Sequence, residues 1–346
     1  MATKLEISQL DFDGIKDNLK TFLSQQDEFT DYNFEGSGMN ILLDVLAYNT
    51  HYLGYNANML ANEMYLDSAD QRSSVVSLAK QVGYTPRSST SSQATIDVVV
   101  NNASGPSLTM SRGTKFTSTV DGTNYSFVAN ADVSISPADG VYKFSNIVIY
   151  EGTYLNYKYT ANTSDTDQRF IIPNDDVDTN TLTVKVQESA SDSTTNTYTL
   201  ASGVTGIDST SKVFFLQEVE NGRFEVYFGD GVLGESIKDG NIVILDYITC
   251  NRDEPNGAQT FTLSGSVGGF SNVTITTLGT AAGGDDPETI KSIKYNAPRD
   301  YTAQDRAVTA DDYKVLVKSL YANAQSVQVY GGEDAAVPDY GKVYIS

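Results

Sequence analysis

The sequence has almost none of the side chains on which most enzyme mechanisms and many metal sites depend. Its 346 residues include one His, one Cys and no Trp. A zinc site needs several His or Cys ligands, and a Ser-His or Cys-His mechanism would have to use His51. Cys250, being alone, cannot form an intramolecular disulfide, which favours assembly in the cytosol. The composition therefore excludes much of enzymology.

Positive charge is also scarce. There are 23 Lys and Arg against 44 Asp and Glu, and the formal net charge is −21. A surface of this charge repels nucleic-acid phosphate and anionic membranes, so we expect neither as a partner. No segment approaches the roughly 18 uninterrupted apolar residues of a membrane span. The N-terminus lacks the apolar core of a secretory signal, so we expect assembly in the cytoplasm without export.

The first part of the chain has a helical period. Asp13 is predicted to cap a first helix, because its carboxylate reaches the free amides of a first turn. Ser37 is the predicted N-cap of a long helix that runs to about Leu66, on the order of 45 Å at 1.5 Å per residue. A third helix is predicted to end at Gly83. We expect residues 1–86 to form an N-terminal helical assembly region.

Apolar residues cover more than one side of the long predicted helix. A helix that buries only one face would leave several of these large side chains in water. Tyrosine combines an apolar ring with a hydroxyl group and is enriched at protein interfaces. Packing within one domain is the alternative, but the apolar sides favour contact with other chains. The predicted partner interface consists of Leu42, Leu46, Tyr48, Tyr52, Leu53, Tyr55, Met59 and Leu60.

Residues 87–280 are rich in Ser, Thr, Val, Asn and Gly and are predicted to be β-rich. Short β-branched or alternating runs are separated by Asn-Gly, Asp-Gly and Pro-containing turns. The pattern predicts antiparallel sheets, as a sandwich, a barrel or a pair of small β modules. Residues 88–92 are predicted to be a linker or a first turn. The predicted strands are 95–100, 115–118, 125–129, 142–150, 155–159, 182–186, 213–219, 224–228, 242–248 and 273–277.

Residues 281–346 are predicted to form an α/β segment. Pro287 lies in the first turn of one predicted helix, and Thr309 caps another with an acid three residues later. Strand-like runs at 324–329 and 341–345 follow. Since the sequence stops inside a predicted strand, we expect a truncated polypeptide. The whole chain is thus predicted to be an α+β multidomain protein with a central antiparallel β region.

The run Gly229–Gly234 matches the glycine pattern of dinucleotide-binding sites and follows a predicted strand. Such a site needs the glycines to lead into a helix, whereas the next predicted element here is another strand. We therefore interpret the run as a hairpin turn.

Two acidic clusters and His51 are further candidates for chemistry. The clusters, 165–167 and 175–178, offer oxygen ligands to calcium but lack the acid spacing and distal Glu of a calcium loop. We interpret them as solvated loops. His51 lies within a helix, away from any nucleophile signature, and is interpreted as a hydrogen-bonded histidine and not a base.

Several blocks resemble baseplate proteins of contractile-tailed phages. One begins Phe-Glu-Gly-Ser-Gly-Met-Asn-Ile at Phe34 and resembles the N-terminal region of the T-even-type baseplate wedge subunit. Another, Phe-Glu-Val-Tyr-Phe-Gly-Asp-Gly at Phe224, is similar to the baseplate J-like family. The blocks follow the family's order. They are residues 34–53, 58–66, 79–87, 224–234, 240–247, 283–290 and 306–313.

The resemblance implies a structural subunit of the baseplate wedge, in the virion tail, with no catalytic site and no cofactor. It implies that two copies associate as a homodimer within the wedge. Their N-terminal helices would bundle with other wedge subunits around the central hub, near hub-proximal and sheath-initiating tail proteins. It also implies a part in the rearrangement that triggers sheath contraction. Wedge subunits of this kind continue well beyond a segment like 341–346.

One alternative comes from the β-rich region. Its Ser, Thr, Asn and Gly content and the many carboxylates would suit a tail-associated protein that binds or cleaves host glycans. The absence of Trp counts against this reading, because sugar faces are commonly stacked on large aromatic rings, although Tyr can serve.

Overall fold

The computed structural model describes residues 11–26, 32–201, 203, 206–303, 306–320, 326–335 and 337–346. The chain divides into two compact units between Val82 and Gly83. Within the described residues, the first unit is helical and the second contains all the strands together with two further α-helices. The predicted α+β class is confirmed in this broad form. The predicted domain boundaries at 86 and 280 stay predictions.

The helical unit consists of α1 (Phe12–Leu23), α2 (Gly38–Glu63) and α3 (Arg72–Gln81). Ser37 caps α2 as predicted: its Oγ accepts a hydrogen bond from the amide of Asn40 at 3.1 Å. The predicted cap of α1 was wrong by two residues. Asp11 is the N-cap, and Asp13 lies inside the first turn.

The helix α2 ends at Glu63, three residues before the predicted end. The helix ends there because polar side chains form hydrogen bonds with backbone groups at and after its last turn. The hydroxyl of Ser68 donates to the carbonyl of Asn62 at 2.6 Å, and Oε1 of Glu63 accepts from the amide of Asp70 at 2.9 Å. These bonds fix the connection from α2 to α3.

The helix α1 packs against the beginning of α2. Ile15 on α1 is buried, as are Leu43 and Ala47 on α2. An ion pair between Lys16 and Asp44, at 2.5 Å, lies beside this contact. The α1 contact thus uses only one side of α2.

The second unit carries seventeen strands within its described residues, with α4 (Ile290–Ala303), α5 (Ala310–Leu320) and two short 3₁₀ turns at 220–222 and 332–334. The strands are β1 (Gln93–Val100), β2 (Leu108–Met110), β3 (Lys115–Val120), β4 (Thr123–Ala129), β5 (Val133–Ile135), β6 (Tyr142–Glu151), β7 (Thr153–Thr160), β8 (Phe170–Ile171), β9 (Val177–Ser189), β10 (Asp192–Leu200), β11 (Val213–Glu218), β12 (Phe224–Phe228), β13 (Ile242–Thr249), β14 (Thr262–Ser264), β15 (Val273–Ala282), β16 (Val329–Gly331) and β17 (Val343–Ile345).

All ten predicted strands are present. The structure adds β2, β5, β8 and β14, which have only two or three residues each, and β10, whose sequence is mostly Ser, Thr and Asn. Short or polar strands give little periodic signal, which explains their omission. Thr309 caps α5 as predicted, by exchanging hydrogen bonds with Asp312. The predicted strand 324–329 lies partly outside the described residues.

The first sheet has the order β14-β3-β4-β6-β1-β15, and β2 pairs separately with β5. Buried and half-buried residues alternate along β1, as expected of a strand with one face on a core. Three fully buried phenylalanines, Phe116, Phe127 and Phe144, form the centre of this core. The ring of Phe127 meets Phe261 edge to face at 4.9 Å. This sheet therefore has a core of its own.

The second sheet has the order β7-β13-β9-β10-β11-β12-β8. It curls like a barrel, since the hydroxyl of Tyr159 on one end strand donates to the carbonyl of Ile171 on the other, at 2.5 Å. The prediction of purely antiparallel pairing was wrong for one pair. β10 and β11 are parallel, with Thr199 beside Val213 and Leu200 beside Phe214.

The strand β13 is buried on both faces. Leu245 lies in the core of the second sheet, while Asp246 points to the opposite face. The carboxylate of Asp246 accepts from Tyr154 at 2.8 Å and from Asn156 at 2.5 Å. Arg112, from the connection between β2 and β3, reaches it at 3.5 Å. This polar cluster joins the two sheets.

The predicted linker at Ser88–Ser92 is instead a buried strap between the sheets. The amide of Ser91 donates to Asp178 at 2.9 Å, and Thr90 exchanges backbone hydrogen bonds with Asp285 at 3.1 and 3.2 Å. The linker prediction was wrong because these partners, far away in sequence, replace the water that Ser and Thr would otherwise bind.

Candidate functional site

The sheltered side of α2 is built from small and polar residues, the reverse of an ordinary surface helix. A surface helix normally turns its large apolar side chains toward the core. Here Leu43 is the only large aliphatic side chain on that side within the described helix. The sheltered positions recur every three or four residues, at Asn40, Leu43, Ala47, His51, Gly54 and Asn58.

All eight residues of the predicted interface lie on the exposed sides of α2. Their exposed fractions range from 39% at Met59 to 65% at Leu60. Ile41 and Val45, which the predicted interface omitted, are equally exposed. Tyr65, predicted at the end of the helix, lies just beyond Glu63. The structure thus gathers the predicted residues on one surface, and their contact with a partner stays a prediction.

The exposed residues fall into two rows that differ by about 100° around the helix. Each row advances by alternating steps of four and three residues, the spacing of a coiled-coil seam. We call them the tyrosine seam and the leucine seam. The tyrosine seam consists of Ile41, Val45, Tyr48, Tyr52, Tyr55 and Met59, and the leucine seam of Leu42, Leu46, Asn49, Leu53, Asn56 and Leu60.

This surface is free of formal charge. No Asp, Glu, Lys or Arg occurs between Asp44 and Glu63, in a chain of net charge −21. The rings of Tyr48 and Tyr52 lie 4.6 Å apart. A hydrogen bond with Tyr52 raises the pKa of the Tyr48 hydroxyl. Covering the surface would therefore bury no ion, so the desolvation penalty of a buried charge does not arise.

The seven-residue repeat was the signal that could have identified Ile41 and Val45 from the sequence. Ile41 lies seven residues before Tyr48, and Val45 lies seven residues before Tyr52. The proportion of apolar residues along the helix does not distinguish the two seams. The alternating spacing of four and three residues does.

The glycine run 229–234 forms a tight loop between β12 and β13, and no helix follows it. The carboxylate of Asp230 accepts from the amides of Val232 and Leu233, both at 2.9 Å. A side chain at Gly229 would collide with the backbone of Leu233. A strand follows the glycines as predicted, but the predicted hairpin was wrong. β12 pairs with β8 and β11, and β13 pairs with β7 and β9, so the loop is a crossover.

A polar cavity of about 450 Å³ lies where β6 and β7 meet the end of β13. Glu151 lines it and is fully buried, and burial raises the pKa of its carboxyl group above the ordinary value. Asn251 opposes this effect by donating to both carboxylate oxygens, at 2.7 and 2.9 Å. Cys250 also lines the cavity, and burial raises the pKa of its thiol to about 11. A thiol with this pKa is a poor nucleophile.

The acidic cluster at 175–178 has protein partners. Asp175 pairs with Arg223 at 3.0 Å, and Asp176 pairs with Arg252 at 2.6 Å. Asp178 accepts from the amide of Ser91, and burial raises the pKa of its carboxyl group. Across the part of the chain that the structure describes, no group of three or more His, Cys, Asp or Glu could hold a metal ion. In that same part, none of the helices has the length and hydropathy of a membrane span.

Three family models match the chain in sequence order. Residues 11–84 match the helical domain of the gp6-like baseplate wedge protein. Residues 157–256 match the third domain of the bacteriophage baseplate wedge protein gp6. Residues 309–346 match the C-terminal domain I of the baseplate structural protein gp6. Together they cover more than half of the sequence and define a phage baseplate wedge protein.

The chain belongs to the gp6-like baseplate wedge proteins, and the resemblance to wedge subunits is confirmed. It is 29% identical over 360 aligned residues to the baseplate wedge protein gp6 of Enterobacteria phage T4. That alignment covers 95% of this chain and 52% of the relative, so the chain spans about half of the relative's length. The similarity to the baseplate J-like family stays a prediction.

One solved structure that resembles the chain is the cryo-EM structure of the anti-feeding prophage baseplate. The match covers 91% of this chain and 65% of the other, with a TM-score of 0.33 and 11% sequence identity. A score this low does not establish a shared fold.

Proposed function

We propose that this chain is a structural subunit of a contractile-tail baseplate wedge and that α2 is its main assembly surface. In this proposal the N-terminal helices associate with a second copy and with other wedge subunits around the central hub. The chain acts in the virion tail and takes part in the baseplate rearrangement at sheath contraction. It has no catalytic role.

The observation that carries the proposal is the reversed placement of apolar residues on α2. Ten large apolar side chains are exposed along a helix of about 39 Å, at 1.5 Å per residue. Exposed apolar surface of this extent is typical of protein–protein contact sites. Family membership supports the same role, since the relative in phage T4 is named as a baseplate wedge protein.

The test places a charge on each seam of the full chain. Leu53→Glu and Tyr52→Glu should each abolish capture of the neighbouring wedge subunits, because an ion buried without a partner is strongly disfavoured. Thr50→Glu is the matched control. Thr50 is also exposed on α2 but lies outside both seams, so its variant should assemble normally.

Folding is followed in the same samples by circular dichroism. The three variants should keep the β signal of the parent chain. Loss of β structure in the Leu53→Glu variant would mean that α2 is an internal packing helix. A monomeric parent chain that ignores the other wedge subunits would contradict the proposal as well.

A further inference from the structure

The chain enters the second unit through a short segment that depends on one carboxylate far away in the sequence. The segment consists of residues 84–87, between Gly83, where the unit begins, and the buried strap at 88–92. We propose that residues 84–87 form a latch held by Glu288, and that this latch opens while the strap stays in place. Opening lengthens the connection between the two units.

Glu288 lies two residues before α4 and holds the latch from below the surface. Its side chain is buried, and the hydroxyl of Tyr84 donates to its two carboxylate oxygens at 2.8 and 2.9 Å. The amide of Arg87 donates to Oε2 at 3.2 Å, and the amide of Glu288 donates to the carbonyl of Arg87 at 3.0 Å. Burial, together with the negative charge of Glu288, raises the pKa of Tyr84, so the hydroxyl keeps its proton.

The other contacts of the latch are weaker. The guanidinium of Arg87 pairs with Asp285 at 2.6 Å, but the Asp285 side chain is 58% exposed, and exposed ion pairs contribute little. The hydroxyl of Thr85, an exposed residue, donates to the carbonyl of Leu216 at 3.1 Å. Pro86 has no amide hydrogen, so it loses no donor when the segment detaches. The bonds to Glu288 therefore dominate.

The strap is held differently from the latch. Every residue from 88 to 92 is at most 5% exposed. Thr90 exchanges two backbone hydrogen bonds with Asp285, and the amide of Ser91 donates to the buried Asp178 at 2.9 Å. Segments whose hydrogen bonds are buried open at a higher free energy than partly exposed ones. We therefore expect opening to stop at the boundary between residues 87 and 88.

The helix α4 makes this opening reversible. The hydroxyl of Ser292 and the amide of Asn296 both donate to Oε1 of Glu288, at 2.6 and 2.8 Å. These bonds lie outside the latch and persist when it opens, while water gains access to Oε2. A buried acceptor left without partners is the costly outcome of breaking a hydrogen bond. The opened latch avoids that outcome.

The consequence is a change in reach. The latch has four residues, so its release adds about 13 Å of extended chain, at roughly 3.3 Å per residue. A longer connection lets the helical unit follow its partners while the fold of the second unit stays intact. That use rests on the proposed part in baseplate rearrangement, whereas the opening itself is a property of the isolated chain.

The first experiment is hydrogen exchange on the full chain. Tyr84→Phe keeps the ring and removes the hydroxyl that Glu288 accepts from. It should accelerate exchange at the amides of Arg87 and Glu288 by roughly tenfold or more, because a hydrogen bond to a charged group is lost. The amides of Thr90 and Ser91 should keep the parent rate.

Tyr125→Phe is the matched control. It removes another tyrosine hydroxyl that donates to a glutamate, Glu254, at 3.2 Å, and should leave all four amides at the parent rate. Glu288→Gln keeps the size of the side chain and removes its charge, so it should also accelerate exchange at Arg87. Equal acceleration at Thr90 and Ser91 would mean that latch and strap open together, and would overturn the proposal. So would unchanged exchange at Arg87 in both latch variants.

The second experiment measures reach with two spin labels. Lys80→Cys and Asp192→Cys place the labels at exposed positions on α3 and β10, while the buried Cys250 stays unlabelled. Adding Tyr84→Phe should broaden the distribution of label distances by up to about 13 Å, and adding Tyr125→Phe should not. An unchanged distribution alongside faster exchange would overturn the lengthening. Capture of wedge subunits is measured separately, so its failure would contradict the assembly role and not the latch.

Discussion

The helical unit and the β unit place their apolar residues in opposite ways. In the β unit, Phe127 and Leu245 are fully buried within cores that belong to the chain itself. On α2, Leu53 and Tyr55 are more than 60% exposed, and the sheltered side is made of small and polar residues. Burial of apolar side chains within its own cores stabilises the β unit. The large apolar side chains of α2 are exposed, and in our proposal other chains cover them.

The largest expected effect tests this comparison directly. Phe127→Ala should lower the free energy of unfolding of the β unit by about 3–5 kcal/mol, through lost burial and the cavity left beside Phe261. Leu53→Ala removes an exposed side chain and should change stability by no more than about 0.5 kcal/mol. Chemical unfolding followed by circular dichroism measures both.

The two variants should rank in the opposite order when capture of wedge partners, and not stability, is measured. Leu53→Ala should weaken capture of wedge partners, whereas Phe127→Ala should retain capture at temperatures where its β unit is folded. A Leu53→Ala chain as unstable as the Phe127→Ala chain would show that α2 is covered within its own subunit.

A second prediction concerns the charged joint between the two sheets. Asp246 is buried with Tyr154, Asn156, Lys185 and Arg112 around it. Burial alone would raise the pKa of Asp246, but hydrogen bonds from Asn156, Tyr154 and Lys185 outweigh it and lower the pKa. Since the folded pKa lies below the unfolded value near 3.8, the ionised group stabilises the fold above that pH.

Asp246→Asn should therefore cost about 3 kcal/mol at pH 7, the lower end for a broken buried pair, because Lys185 is partly exposed. The difference from the parent chain should shrink as the pH falls through the folded pKa, where the parent loses the same charge. Urea unfolding at pH 7 and pH 3 measures this. Asp192→Asn, at the exposed start of β10, is the control. A difference that grows toward pH 3 would contradict the assignment.

Local features were predictable where the decisive partners are close in sequence. Ser37 caps α2 because its hydroxyl reaches an amide three residues away, and Thr309 caps α5 by the same rule. The strap at Ser88–Ser92 was not predictable in this way. Its burial depends on Asp178 and Asp285, roughly 90 and 195 residues farther along the chain.

The same limit applies to the crossover at Gly229–Gly234. The turn around Asp230 was predictable from residues close in sequence, but the strands that flank the loop pair with other strands of the sheet. The candidate surface on α2 shows the converse. Its apolar residues were evident from the sequence, but which of them are exposed depends on tertiary packing, such as the contact of α1 with one side of α2.

The smallest expected effect concerns the start of α2. Ser37→Ala removes the hydroxyl that accepts from Asn40 at 3.1 Å and should cost about 1 kcal/mol of local helix stability. Without a partner on its seams, α2 gains little from tertiary packing, so a loss of this size should appear as faster hydrogen exchange over residues 38–45. Amides of β13, buried on both faces, should exchange at the parent rate.

Ser37→Asp provides the matched control, because a carboxylate also accepts at an N-cap and interacts favourably with the helix N-terminus. Its exchange should be as slow as in the parent chain. Equal acceleration in α2 and β13 by Ser37→Ala would mean that the two units unfold as one. Acceleration confined to α2, abolished when wedge partners bind, would show that the helix has a stability of its own that assembly supplements.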